Sequence, residues 1–249
     1  MRRNRPRQLA LFIALVVTIG GATFSSPASS APASSDQNAN SAVKALVRPS
    51  LIRAEIVTLS AGSVNDFRVD RGVVSKIRGR LLTLAERDGT VVQVRLSPAT
   101  QFVTDRQTRA AKRVRPDLHV TVMSRGSEAA SWLYVARGSS DSSAPRIKSL
   151  LASGFVRAEV ISWIGGAVLD NRVDTGVIES IDGTSLTLSE SDGATVQMQI
   201  DSATQVQVNR QAATTTDLAI GMRATTIRSG EGAVGEVWAI GRRSSAGKK

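Results

Sequence analysis

Residues 156–200 read VRAEVISWIGGAVLDNRVDTGVIESIDGTSLTLSESDGATVQMQI, and apolar side chains alternate with polar ones along much of this stretch. A period of two residues indicates half-buried β-strands, because successive side chains of a strand point to opposite faces of a sheet. Asp192-Gly193 separates two alternating segments, which is a strong signal for a hairpin. The stretch therefore predicts short strands joined by tight turns.

The same pattern occurs earlier in the chain, where residues 52–96 read IRAEIVTLSAGSVNDFRVDRGVVSKIRGRLLTLAERDGTVVQVRL. The two stretches align without a gap at an offset of 104 residues, and 26 of the 58 positions from 51 to 108 are identical. We interpret the chain as a tandem duplication of a unit of roughly 95 residues.

Each unit contains six or seven predicted strands and no long helical period. Many short strands with tight turns predict a small closed barrel, since closure removes exposed sheet edges. The expected fold class is all-β, with two tandem six- to seven-stranded β-barrels. The strands are predicted near 51–59, 66–77, 81–86, 91–96, 100–104, 119–124 and 132–137, and near 155–163, 170–181, 185–190, 195–200, 204–208, 222–228 and 234–240.

The first 33 residues are predicted to be a signal peptide. Four arginines precede an apolar run at Leu9–Ile19, and small residues follow it. The run is shorter than a transmembrane helix, which needs about 20 residues. Cleavage after Ala22, cleavage after Ala33 and retention as an uncleaved anchor are the alternatives. We therefore expect an exported protein, extracellular or associated with the cell envelope.

Two further segments, 34–43 and 139–147, are rich in small and polar residues, with Ser and Ala prominent. Such segments bury too little apolar surface to become ordered, so they are predicted to be disordered linkers. The first barrel repeat then spans residues 44–138 and the second spans residues 148–243.

The order of turn and core residues in the second unit resembles a family of small bacterial exported β-domains. These are OB-like barrels of unknown function that occur as tandem copies behind signal peptides. The resemblance covers most of each unit, implies an OB-like barrel and supplies no catalytic residues. It rests on Gly176-Val177-Ile178, Ile181-Asp182-Gly183, Leu186-Thr187-Leu188, Asp192-Gly193, Ala203-Thr204-Gln205, Asp217-Leu218 and Gly221-Met222.

The composition excludes several kinds of chemistry. The chain has no cysteine and one histidine, His119, which excludes disulfides, thiolate sites and multi-histidine metal sites. It contains no P-loop, dinucleotide-binding fingerprint or nucleophile elbow. We expect no catalytic residue, metal or cofactor. Nucleic acid is not the expected partner, because 4% aromatic residues supply few stacking surfaces.

The motifs R-A-E and R-V-D occur in both units. Residues two apart on a strand point to the same face, so Arg53 can pair with Glu55 and Arg68 with Asp70, or the two pairs can meet across strands. The alternatives are a small-ligand site in each barrel and a ladder of ion pairs that sets strand register, which we favour. The candidate residues are Arg53, Glu55, Arg68, Asp70, Arg157, Glu159, Arg172 and Asp174.

The two units differ in charge. Residues 51–138 contain 15 basic and 8 acidic residues, a net charge of +7, whereas residues 155–245 contain 7 and 11, a net charge of −4. Opposite charges allow the barrels to attract each other, within a chain or between chains. They also allow the first barrel alone to bind a polyanion, for which an envelope polymer or a lipid surface is the expected source.

The most basic run after the first seven residues is RQTRAAKRVRPDL, residues 106–118. We align it with RQAATTTDL at 210–218, which makes this loop four residues longer in the first unit. The alternatives are a polyanion-binding loop and a solvated one. The polyanion-binding candidates are Arg106, Arg109, Lys112, Arg113 and Arg115.

These observations predict a non-enzymatic exported protein, a binding or structural module at the bacterial envelope that contacts an anionic polymer through its first repeat. One alternative is an envelope hydrolase that uses the duplicated carboxylates. It requires Glu55, Asp66 and Asp70 to converge in an open cleft, and the same in the second unit. The other alternative is an OB-like nucleic-acid-binding protein.

Overall fold

The computed structural model describes residues 50–104, 107–108, 114–136, 147, 149–151 and 154–242. In these residues the protein is nearly all β, with fifteen strands in one mixed sheet and a 3-10 helix at Thr215–Asp217. The predicted leader and the linker at 34–43 lie outside the described residues. The linker predicted at 139–147 also does, except for Ile147.

The strands fall into two groups along the chain. The first group is β1 (Leu51–Ser60), β2 (Ser63–Arg78), β3 (Leu81–Glu86), β4 (Val91–Thr104), β5 (Gln107–Thr108), β6 (His119–Arg125) and β7 (Ala130–Val135). The second is β8 (Phe155–Ile164), β9 (Ala167–Asp182), β10 (Ser185–Glu190), β11 (Thr195–Gln199), β12 (Gln205–Val208), β13 (Gln211–Ala213), β14 (Arg223–Ser229) and β15 (Val234–Ile240).

The prediction of an all-β protein is confirmed. The predicted strands near 91–96 and 100–104 are one strand, β4, in which Leu96 and Gln101 both pair with β7 across an irregularity. The short strands β5 and β13 were not predicted, because two or three residues are too few to show a period.

In the first group the pairings form a closed cycle of strands. β2 pairs with β3, β3 with β4, β4 with β7, β7 with β6, and β6 with β2. All are antiparallel except β4–β7, which is parallel. The enclosed core contains Val74, Leu82, Leu84, Val120 and Leu133, each at most 1% exposed.

The second group repeats most of these pairings. β9 pairs with β10 and with β14, β10 with β11, and β14 with β15. β12 lies parallel to β15 and antiparallel to β13. Its core contains Ile178, Leu186, Leu188, Val208 and Val237, all fully buried.

The offset of 104 residues continues beyond the stretch that aligns readily by sequence. The Asp117 N–H donates to the Val74 carbonyl oxygen at 2.9 Å, and the Gly221 N–H donates to that of Ile178 at 2.9 Å. Asp117 thus stands in the place of Gly221 and shares its positive φ, 68° against 85°. The prediction that the first loop is four residues longer, which aligned Asp117 with Asp217, is wrong.

Strands β1 and β8 join the two groups into one sheet. They run antiparallel, with Glu55 opposite Glu159. Backbone hydrogen bonds extend the contact, from the Leu59 N–H to Gly154 at 2.8 Å and from the Trp163 N–H to Ser50 at 2.8 Å. One apolar cluster lies across this junction and contains Leu51, Ala54, Ile56, Val69, Met123, Trp132, Tyr134, Ile147, Ala158 and Val160.

Two glycines mark the point where a long strand changes partner. β2 pairs with β1 through Asp70 and with β3 from Gly72 onward, and β9 changes partner in the same way at Gly176. A Cβ atom added to Gly72 or Gly176 would lie 2.5 Å from the carbonyl oxygen of Ala85 or Ser189. The close approach of the next strand therefore requires glycine.

Among the described residues, no helix has the length and apolar character needed to cross a membrane.

Candidate functional site

A row of polar and charged side chains crosses the junction at the level of Glu55 and Glu159. It lies on the face of the sheet opposite the apolar cluster that crosses the junction, hereafter the junction core, because Glu55 alternates along β1 with the buried Ala54 and Ile56. The cross-strand register gives the row, over β6, β2, β1, β8, β9 and β14, as Ser124, Arg68, Glu55, Glu159, Arg172 and Arg228.

The predicted polar pairs take part in this row and in the rows beside it. Arg68 donates through Nε to both oxygens of Asp70, at 2.9 and 3.0 Å, as predicted for residues two apart. In the second half the contacts run between strands. Arg172 lies 3.6 Å from Glu159, and Asp174 lies 3.6 Å from Arg228.

Arg53 and Arg157 have different partners from those predicted. The Arg53 Nη1 atom contacts Glu86 at 2.6 Å and Asp88 at 2.8 Å. Arg157 makes the equivalent contacts in the second half, at 2.5 Å and 2.7 Å, with Glu190 and Asp192. Each arginine therefore ties the junction strand, β1 or β8, to the following β3–β4 or β10–β11 hairpin.

The glutamate in each of these clusters is buried. The side chains of Glu86 and Glu190 are 0% exposed, and the Oε1 atom of each has no hydrogen-bond partner among the described residues. Burial raises the pKa of Glu86 to about 7 against the opposing effect of Arg53, and burial also raises the pKa of Glu190. The aspartates of the two clusters behave differently.

For Asp88, burial acts to raise the pKa, but hydrogen bonds from Thr90 and Arg53 outweigh it and hold the pKa below its ordinary value. Asp192 shows the same balance, with hydrogen bonds from Ala194 and Arg157. These aspartates therefore serve two purposes, since each also accepts a backbone N–H within its own Asp-Gly turn.

A cleft of about 320 Å³ opens on the charged face and is lined from both halves; we call it the junction cleft. Glu55, Val57 and Asp66 line it from the first half. The second half contributes Arg157, Ala158, Glu159, Arg172, Asp174, Val196 and Arg228. Burial raises the pKa of Asp174 against the opposing effect of nearby arginines.

A second cleft, of about 270 Å³, lies in the first half and includes Arg68, Asp70, Ser124 and Glu128 in its lining. The three acids that a hydrolase was expected to bring together are therefore divided. Glu55 and Asp66 line the junction cleft, whereas Asp70 lines the second cleft and is held by Arg68.

An exposed basic face covers the outside of β2, β3 and β4. Arg78 and Arg95 flank Leu81 in one cross-strand row, Lys76 is opposite Thr83 in the next, and Arg80 lies in the adjoining turn. These four cations (Lys76, Arg78, Arg80 and Arg95, hereafter the basic face) are exposed and have no ion-pair partner among the described residues. The positions 104 residues later are Ser180, Asp182, Thr184 and Gln199.

The predicted polyanion-binding run is only partly described. Arg106, Arg109, Lys112 and Arg113 lie outside the described residues. Arg115 is exposed and comes just before the segment in which Asp117 bonds to β2.

Several residues of these clusters could not be found from the sequence, because only the tertiary structure brings them together. Glu86 and Asp88 were visible as repeated acids, but nothing local connects them with Arg53, 33 and 35 positions away. Arg228 gave no signal, since Ser124 occupies the matching place. The basic face could have been found by comparing exposed strand positions between the two units.

Comparison of the chain with family models, with curated proteins and with solved structures finds no match. Within the described part of the chain, no three histidine, cysteine, aspartate or glutamate side chains are grouped so that they could hold a metal ion.

Proposed function

We propose that this protein is a non-enzymatic, exported module of two tandem OB-like β-barrels that binds an anionic polymer of the bacterial envelope through its first barrel. The basic face is the observation that carries the proposal. Four exposed cations, on β2, on β4 and in the turn after β2, with no ion-pair partner among the described residues, create a surface potential that attracts polyanions.

The second half supplies an internal comparison for this proposal. The same backbone positions carry one acid and three neutral residues there, so the fold does not require cations at these places. The run from Arg106 to Arg115 belongs to the same half and adds five cations to it. The charge of the first half is therefore an addition to the shared fold, which favours a role in binding.

The engagement of four of the repeated carboxylates in ion pairs supports a non-enzymatic role. Glu86 and Asp88 are bound by Arg53, and Glu190 and Asp192 by Arg157. A paired-carboxylate hydrolase needs one free acid and one free base facing a substrate.

The decisive experiment replaces the basic face by the residues of the second half: Lys76→Ser, Arg78→Asp, Arg80→Thr and Arg95→Gln together. The sample is the full chain without residues 1–33, and its binding to heparin, a soluble polyanion probe, is measured across a salt series. We expect weaker binding and a shallower slope of log K against log salt. The magnitude of the slope should be smaller by roughly 3 to 4, close to one unit for each lost phosphate-like contact.

A matched control changes two exposed cations of the second half, Arg210→Ser and Arg242→Ser, and should leave heparin affinity nearly unchanged. The basic-face variant lowers the net charge by 5 and this control lowers it by 2. Losses of affinity in proportion to these two changes would mean that general charge explains the binding and that the proposed surface is wrong. A third variant, with Arg109, Lys112 and Arg113 changed to Ala, measures the share of the basic run.

A further inference from the structure

The junction cleft contains hydrogen-bonding groups that the described residues do not satisfy. Asp174, whose side chain is 7% exposed, has a buried Oδ2 atom with no hydrogen-bond partner, and its nearest cation is the Arg228 Nε atom at 3.6 Å. The Nε atoms of Arg228 and Arg172 are also buried without a hydrogen-bond partner. Asp174 and Arg228 therefore form an ion pair longer than a hydrogen bond, and the Arg172 Nε atom makes no hydrogen bond, beside one cleft.

The two arginines are placed to share a single carboxylate. They lie opposite each other on β9 and β14, and Glu231 contacts both, at 2.6 Å to Arg172 and at 3.4 Å to Arg228. The Glu231 side chain is 74% exposed and belongs to the turn between β14 and β15. A ligand carboxylate could take its place without disturbing buried structure.

Acidic side chains dominate the rest of the cleft. Glu55 and Glu159 stand directly opposite each other, and like charges in such a pair repel. Asp66 and Asp174 add two more carboxylates, whereas Arg157 is already bound by its own cluster. An ammonium group between these acids would relieve their repulsion.

We propose that the junction cleft binds a small zwitterion, an α-amino acid with a basic side chain. Its carboxylate would contact Arg172 and Arg228, its α-ammonium Asp174 and Glu159, and its side-chain ammonium Glu55 and Asp66. The stem of the side chain would pack on the apolar lining. A volume of about 320 Å³ suits a ligand of this size, because it lies at the lower end of small-molecule sites.

In the first half, the equivalent aspartate is already hydrogen-bonded and the second arginine is absent. Asp70 accepts two hydrogen bonds from Arg68, at 2.9 and 3.0 Å, and Ser124 stands where the second half has Arg228. The second arginine and the unsatisfied aspartate are therefore specific to the junction cleft. The site is also separate from the basic face.

The test is calorimetric titration of the full chain without residues 1–33 with L-lysine, pentane-1,5-diamine and hexanoate. The diamine lacks the carboxylate and hexanoate lacks both ammonium groups. We expect L-lysine to bind at least about tenfold more tightly than either analogue, since charge-assisted hydrogen bonds at both ends contribute. Binding of the diamine as tight as that of L-lysine, or no binding of L-lysine up to about 10 mM, overturns the proposal.

Variants locate the site. Arg228→Ser introduces the residue of the first half and should weaken L-lysine binding about tenfold, as should Asp174→Asn, which keeps the shape of the side chain. Ser124→Ala, at the equivalent place in the first half, is the matched control and should leave affinity unchanged. Thermal unfolding of each variant verifies its fold. Wild-type affinity in Arg228→Ser would contradict the assignment.

Discussion

At the scale of single residues, each arginine–glutamate–aspartate cluster holds a buried carboxylate beside a second acid. Burying a carboxylate opposes its ionisation, and the second acid of the cluster opposes it further by like-charge repulsion. With a pKa of about 7, Glu86 is therefore only partly ionised at neutral pH, although Arg53 lies 2.6 Å away. Such clusters fix one arrangement of strand and hairpin rather than adding much stability.

The pH dependence of stability should reveal Glu86. Its pKa is about 7 when folded and 4.5 ordinarily, so between these values the folded protein holds a proton that the unfolded chain has released. Stability therefore falls as pH rises through this window. In urea unfolding at several pH values, we expect Glu86→Gln to lose less stability than the wild type from about pH 5 to 8, by on the order of 1–3 kcal/mol.

Asp88→Asn is the control for this experiment. The folded pKa of Asp88 is lowered, so its contribution is present above the ordinary value of 3.8 and is lost only as pH falls below it. Between about pH 5 and 8 this variant should run parallel to the wild type. Parallel curves for Glu86→Gln as well would show that Glu86 titrates normally.

At the scale of elements, β2 and β9 each change partner along one edge, β2 from β1 to β3 and β9 from β8 to β10. Such a strand must bend where it leaves one partner for the next, and the next strand crosses closely at that point. Gly72 and Gly176 lie there. Their identity in both halves follows from backbone contact and needs no functional explanation.

Gly176→Ala should destabilise the protein by about 1–3 kcal/mol, because the new methyl group would lie 2.5 Å from the Ser189 carbonyl oxygen. Gly235, within β15, offers a matched control, since a Cβ atom there would lie 3.7 Å from the nearest atom. Gly235→Ala should be neutral or slightly stabilising. Equal losses of unfolding free energy in urea would contradict this view of Gly176.

Most elements could be predicted from the sequence, because alternation and turn glycines are local signals. The limits of β1, β3, β6 and β10 agree with the predicted strands to within a residue or two. The continuity of β4 was not predictable, since only the parallel contact with β7 carries the strand past Pro98. The candidate sites were harder to predict from the sequence, because cross-strand neighbours depend on the register of strands that are far apart along the chain.

The wrong prediction that the loop after β4 is four residues longer in the first unit also came from relying on local sequence. Asp-Leu occurs in both halves, at 117–118 and 217–218, and local identity made these pairs appear equivalent. The structure equates positions by hydrogen bonds to β2 and β9, where the backbone conformation matters and the residue type does not. The constant offset of 104 residues therefore identifies equivalent positions better than a short identical motif does.

At the scale of the whole molecule, the junction core makes the two halves thermodynamically dependent. Its members come from β1, β2, β6 and β7 in one half and from β8 in the other, together with Ile147, which precedes β8. Arg87 in the β3–β4 hairpin also lies 5.1 Å from the ring centroid of Trp163 on β8. Either half would expose apolar surface if the other unfolded.

Differential scanning calorimetry of the wild type should therefore show one cooperative transition. Val160→Asp places a charge in the junction core, where Val160 is 0% exposed opposite Ala54, and should separate the unfolding of the halves into two transitions. Val64→Asp, at a position 50% exposed, is the control and should keep one transition. Two transitions in the wild type would show that the halves are independent.

The register between β1 and β8 has a consequence for how the protein can change. Val57 faces Arg157 and Arg53 faces Ile161, so positions related by the offset exchange partners across Glu55 and Glu159, as they would across the dyad of a homodimer. In a homodimer every substitution would appear twice. In one covalent chain, the two sides of this pseudo-dyad can carry different residues, as Ser124 and Arg228 do, so a single polypeptide can present two unlike surfaces.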